Sequence, residues 1–249
     1  MAFDSATLVF LLLGGLAGGF VTGLAGFGTG LAAAGVWFHA LEPATVPPLV
    51  ALVSIGGQAV ASLSVRHAFD RRRAAPYLLG GIAGVPLGVA LLAVASPDML
   101  RLAVGLLLVV YTLLSIARRL PVPPSSRAAD AAVGFGGGAL GGFAGLSGPL
   151  PVIWLRLQGG STETQRAVYQ PFNLLVLALA AAAMAASGAM DATALQAAAI
   201  CLPAALAAAW IGARLYQRID ATLFHRIVTA LLCLSGLILI VEVVFSPKV

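Results

Sequence analysis

The stretch that decides the fold is Gly137-Gly138-Ala139-Leu140-Gly141-Gly142-Phe143-Ala144-Gly145-Leu146-Ser147-Gly148-Pro149-Leu150-Pro151. It begins as an apolar helix with small residues and ends in Ser-Gly-Pro-Leu-Pro, which no helix runs through. Much of it occurs twice. Gly14-Gly15-Leu16-Ala17-Gly18-Gly19-Phe20 matches Gly137–Phe143, and Gly23-Leu24-Ala25-Gly26 matches Gly145-Leu146-Ser147-Gly148. Matches in chain order at nearly constant spacing point to an internal duplication. The first copy breaks at Gly26-Phe27-Gly28-Thr29-Gly30.

The surroundings say what solvent these breaks face. The chain has 249 residues, 60% of them hydrophobic and only 9% charged, with a mean hydropathy of +1.02. A soluble domain carries roughly 25% charged residues, so soluble enzymes and nucleic-acid-binding proteins are excluded despite the net charge of +5. Eight apolar stretches cover 6–40, 44–65, 74–95, 99–117, 129–157, 168–187, 192–213 and 222–245. Six have the length of one crossing, about 20 residues. The first and fifth contain the breaks. The first would form roughly 52 Å of helix against a 30 Å core. It therefore folds as a hairpin with a short second limb, and the second limb of the fifth, from Pro149, is shorter than a span.

Charge placement chooses between topologies. With eight simple spans, the basic residues divide almost evenly between the two faces. If the first and fifth stretches each enter and leave on one side, twelve of the fourteen Lys and Arg share a face; only Arg101 and Lys248 oppose them. The positive-inside rule makes that face cytoplasmic, with both termini outside. The expected fold is an all-α integral membrane protein of two inverted repeats. Each repeat is a Gly-rich broken-helix hairpin plus three spanning helices, ten helices if each hairpin counts as two. The first repeat is 1–117, the cytoplasmic linker 118–128 and the second repeat 129–249. The expected location is a bacterial inner membrane, and the expected leader is none, since MAFDSATLVF has no basic start.

Non-helical backbone at membrane depth is tolerated where it lines a cavity. Free N–H groups at helix starts carry partial positive charge and suit an anion. Thr29 and Ser147 are expected caps of the helices leaving the breaks. Gly14, Gly18, Gly137 and Gly141 have GxxxG spacing and are expected to pack helices. Ser54, Gln58 and Ser62 share one helix face; Gln170 and Asn173 sit three apart; all can line a cavity. Tyr169, Gln158, His39 and Arg156 lie near hairpin ends as weaker candidates. No Asp, Glu or Lys lies mid-span, which argues against cation pumping or a carboxylate proton relay. His39, His67 and His225 are scattered, Cys201 and Cys233 have no CxxC partner, and no enzyme, metal site or cofactor is expected.

GLAGFGTG, the repeated GGFAGLSGPLP and the following QRAVYQPFN resemble the TauE/SafE sulfite-exporter-like permeases. Members of that family often show Gly-Pro-Pro where this chain has Gly148-Pro149-Leu150-Pro151. The resemblance implies a duplicated architecture, transport of sulfite, sulfonates or related organic anions, and substrate contact at Gly26, Gly28, Gly30, Ser147, Gly148 and Pro149. The residues themselves add Thr29, Gln58, Gln170 and Asn173. The expected partners are a small anion, the lipid bilayer and a second copy of the chain as a homodimer, with no nucleic acid. The competing readings are an anion channel and a non-transporting scaffold.

Overall fold

The computed structural model describes residues 3–63, 68–116, 126–215 and 221–245. Most of the linker, with Arg118 and Arg119, lies outside them, as do Arg66, His67, Arg218 and Lys248. The described residues form ten α-helices: α1 (Ser5–Ala25), α2 (Thr29–Trp37), α3 (Val46–Leu63), α4 (Arg71–Val94), α5 (Pro97–Ile116), α6 (Arg127–Ala144), α7 (Pro149–Gln158), α8 (Thr162–Ala186), α9 (Ala192–Leu215) and α10 (Ala221–Phe245). The last two linker positions already belong to α6. A 3-10 turn at Pro43–Thr45 leads into α3.

Among the described residues, six helices are long and apolar enough to cross a membrane: α1, α3 with its 3-10 lead, α4, α5, α8 and α9. The chain is a multi-pass membrane protein. The surface agrees, because large apolar side chains face outward, among them Val94, Leu79, Leu113 and Leu234. Pro76, Pro86, Pro171 and Pro203 sit inside helices, which neighbouring helices permit at membrane depth.

Two tight helix pairs frame the molecule. α1 lies along α9, and α4 lies along α6. Glycine makes both possible. A Cβ added at Gly19 or Gly23 would strike the carbonyls of Ala205 or Ala209; one at Gly138 or Gly142 would strike those of Gly81 or Val85. α3 packs on α8 between these pairs, and α5 packs on α10.

These contacts align the two glycine stripes differently from the sequence matches. Gly15, Gly19 and Gly23 face Cys201, Ala205 and Ala209 as Gly134, Gly138 and Gly142 face Tyr77, Gly81 and Val85. Gly26 ends α1 in the left-handed region (φ +80°), as Gly145 ends α6 (φ +71°). Sequence identity instead pairs Gly23 with Gly145 and Gly26 with Gly148, about one helical turn away. A glycine pattern repeating every four residues slips by a turn and keeps most of its matches.

Candidate functional site

Each glycine break folds back on its own first limb. Trp37 Nε1 donates to Leu11 O at 3.2 Å, and Gly14 leaves the room the indole fills. Gly18 admits Thr29 and Ala33, and the Thr22 and Thr29 hydroxyls bond to each other. In the second hairpin Gly137 and Gly141 admit Ser147, and Trp154 Nε1 donates to Asp130 at 2.7 Å. Gly14 and Gly18 therefore pack limb on limb, whereas Gly137 and Gly141 admit the turn at Ser147 together with Phe172 and Val176 of α8; the neighbouring stripes hold α9 and α4.

The two breaks meet. Gly28, Thr29, Gly30 and Leu31 line a cavity with Gly145–Pro149, closed by Ser54 and Gln58 of α3 and Asn173 and Leu177 of α8. About 20 Å³ of it is open to the centres of water molecules, above the roughly 10–15 Å³ one water needs. That is the scale of a compact ion. No charged side chain lines it.

Eight of the ten expected contact residues are brought together here: Gly28, Thr29, Gly30, Gln58, Ser147, Gly148, Pro149 and Asn173. Gly26 and Gln170 are not on the cavity wall. Gly26 backs onto the Arg166 and Gln170 side chains. The Gln170 amide, oriented to satisfy both ends, donates to Ala61 O at 3.0 Å and accepts from Arg166 Nε at 3.1 Å. It joins α8 to α3. Ser62 is not on the wall either, and Arg156 is exposed.

Thr29 and Ser147 are not caps. The N-caps are Gly28 and Gly148, and neither helix start receives a side-chain bond. Thr29 has turned to Thr22, and Ser147 Oγ donates to Asn173 Oδ1 at 2.9 Å. The start of α2 thus keeps the N–H groups of Thr29, Gly30 and Leu31, which have no intrahelical acceptor; Ala32 N is the first to bond, to Gly28 O. The start of α7 is poorer, because Pro149 and Pro151 carry no N–H and only Leu150 offers one. The two breaks are alike in path and unlike in donors.

Side chains add to this. Asn173 Nδ2 and Gln58 Oε1 are buried with no partner among the described residues, and both residues line the cavity. An unmade bond on a buried amide costs about 1–3 kcal/mol, and a ligand here would recover it. The two tips differ in what glycine gives them. Gly28 has φ +105°. Gly148 has an ordinary φ of −72°, but a Cβ there would lie 3.2 Å from Asn173 Nδ2.

The QRAVYQPFN segment is the clamp on both tips. Arg166 is only 4% exposed and donates to Gly23 O at 3.3 Å. Tyr169 donates to Ala25 O at 2.8 Å. These two satisfy carbonyls that the end of α1 leaves open. Asn173, farther along α8, holds Ser147 of the other tip. Counting Arg166 as a loop charge missed this role, because hydropathy does not show that α8 already begins at Thr162. Among the described residues no His, Cys, Asp and Glu cluster suits a metal ion.

The family model described as Sulfite exporter TauE/SafE matches residues 11–239. No curated protein and no solved structure matches the chain. The chain belongs to the TauE/SafE family, whose members are transporters and not enzymes.

Proposed function

We propose that this TauE/SafE member is a secondary transporter for a small anion, such as sulfite, a sulfonate or a related organosulfur or organic anion. It works by alternating access of two inverted repeats around the two facing helix breaks. The observation that carries the reading is the cavity between the breaks. There the uncapped start of α2 and the unpartnered Asn173 Nδ2 converge with no charged side chain beside them. The oxygens of an anion accept the free N–H groups and the amide, and the helix dipole adds attraction. A site made of dipoles holds an anion without a fixed counter-charge that would retain it.

The packing supports two related halves. α1 lies on α9 as α6 lies on α4; α3 meets α9 as α8 meets α4; α2 touches α10 as α7 touches α5. Two halves related this way around one central site can rock between openings to either face. With the arginine-bearing loops cytoplasmic, the protein sits in a bacterial inner membrane.

The test is flux in proteoliposomes. Sulfite or sulfonate uptake saturates and shows counterflow, and inert oxyanions compete. Asn173→Ala lowers flux about tenfold or more, the scale of a lost bond to a charged group, while Arg156→Gln leaves it unchanged. Unchanged flux in Asn173→Ala overturns the site. Unsaturable, voltage-driven flux makes the protein a channel, and no flux for any anion tried makes it a scaffold.

A further inference from the structure

The starts of α4 and α6 enclose a groove of about 480 Å³ on the molecule's outer wall, away from the central cavity. It is lined by Arg72, Ala75, Pro76 and Leu79 of α4 and Arg127 and Ala131 of α6. Both arginines are exposed. The nearby carboxylates are already engaged. Asp70 accepts the backbone N–H groups of Arg72 and Arg73 at 2.8 and 3.3 Å. Asp130 accepts from Tyr77 and Trp154, each at 2.7 Å. Among the described residues neither guanidinium has a carboxylate within ion-pair distance.

Below the arginines the groove turns apolar and stays open to the bilayer. Leu79 is 67% exposed. Ile82 and Phe135, farther along the same two helices, also face outward. The spacing of the two arginines is held, since Gly80 and Gly84 press α4 onto the α6 backbone. Two cations at the head of an apolar track match a phosphate with a fatty chain attached.

We propose that this groove is a binding site for an anionic phospholipid. Its phosphate bridges Arg72 and Arg127, and an acyl chain runs along Leu79. Charge-assisted bonds from guanidinium to phosphate are the strong kind, and basic pockets between helices at a membrane face take such headgroups. A zwitterionic phosphatidylcholine carries no net charge and gains little. The bound lipid ties the first half of the chain to the second without touching the transported anion, so this site stands or falls apart from the function proposed above.

The full chain, delipidated in detergent, is examined by native mass spectrometry with dioleoylphosphatidylglycerol, dioleoylphosphatidylcholine or inorganic phosphate. The wild type retains one phosphatidylglycerol and no phosphatidylcholine. R72Q/R127Q weakens that retention about thirtyfold, from roughly 1 kcal/mol per basic residue near an anionic headgroup. Leu79→Ser weakens it without changing charge, and Arg156→Gln leaves it intact. Equal retention of the two lipids overturns the proposal. So do unchanged binding by R72Q/R127Q, an equal loss in Arg156→Gln, and displacement of the lipid by equimolar phosphate.

Discussion

Arg166 is a cation shut away from water inside a helix bundle with little else polar, and it is there because α1 ends in the interior. A helix ending in water would leave its last carbonyls to solvent. α1 ends at Gly26 beside α8, so Gly23 O and Ala25 O take bonds from Arg166 and Tyr169 instead. Arg166→Ala removes the donor to Gly23 O and the partner of Gln170. The expected cost is about 1–3 kcal/mol, that of buried groups left unpaired. Arg166→Lys recovers little, because an ammonium lacks the fork that reaches two acceptors in different directions. A melting curve in detergent reads both variants; a Lys variant as stable as wild type would reduce Arg166 to a point charge. At this scale the sequence was only partly legible. Asn173 and Gln58 stood out as polar residues in apolar runs, and both line the cavity. Thr29 and Ser147 resembled caps by their position alone. Whether a hydroxyl turns to its own helix or to a neighbour depends on what packs opposite, here Thr22 and Asn173, and no local pattern encodes that.

The breaks themselves were legible at the scale of elements. Gly26 and Gly28 have left-handed backbone, and Pro149 begins α7. The short second limbs, nine residues in α2 and ten in α7, follow from where glycine and proline fall. The pairing of glycines was not legible, since a run with glycine every fourth residue fits its copy equally well one turn away. The contacts separate two kinds of glycine. A Cβ on Gly138 meets the Gly81 backbone, whereas one on Gly136 meets only the far end of Leu150, 2.8 Å away. Backbone held in a helix cannot step aside and a leucine methyl can. Gly138→Ala therefore costs about 1–3 kcal/mol by overpacking. Gly136→Ala is neutral or stabilising, since alanine exceeds glycine in helix propensity by up to about 1 kcal/mol. Thermal unfolding of the two variants side by side decides it; a Gly138→Ala variant as stable as wild type would mean that the α4–α6 pair adjusts freely.

At the scale of the whole molecule, the two ends carry different sets of side chains. Asp4, Glu42 and Asp191 line one vestibule of about 650 Å³, and Glu242 reaches that end to pair with His39 at 2.9 Å. α9 starts at this vestibule and runs alongside α1, so its last-turn Arg214 lies at the far end. Arg72 and Arg127 share a groove there. α7 returns toward Asp130 through Trp154, which brings Arg156 to the same end. Counting charges along the sequence leads to the same expectation, because a hairpin that enters and leaves on one side changes which loops share a face. The positive-inside rule predicts which way the molecule sits, with the arginine end cytoplasmic and the opposite end outside. The check is cysteine accessibility in a background without Cys201 and Cys233. Cys201 is buried, its thiol donating to Leu11 O, so alanine replaces it there. In intact spheroplasts a membrane-impermeant maleimide labels Glu42→Cys at once and labels Arg71→Cys only after permeabilisation. Labelling of both from outside would break the two-ended partition. Labelling of Arg71→Cys alone would keep the partition and invert the protein, leaving its arginines against the rule that most membrane proteins follow.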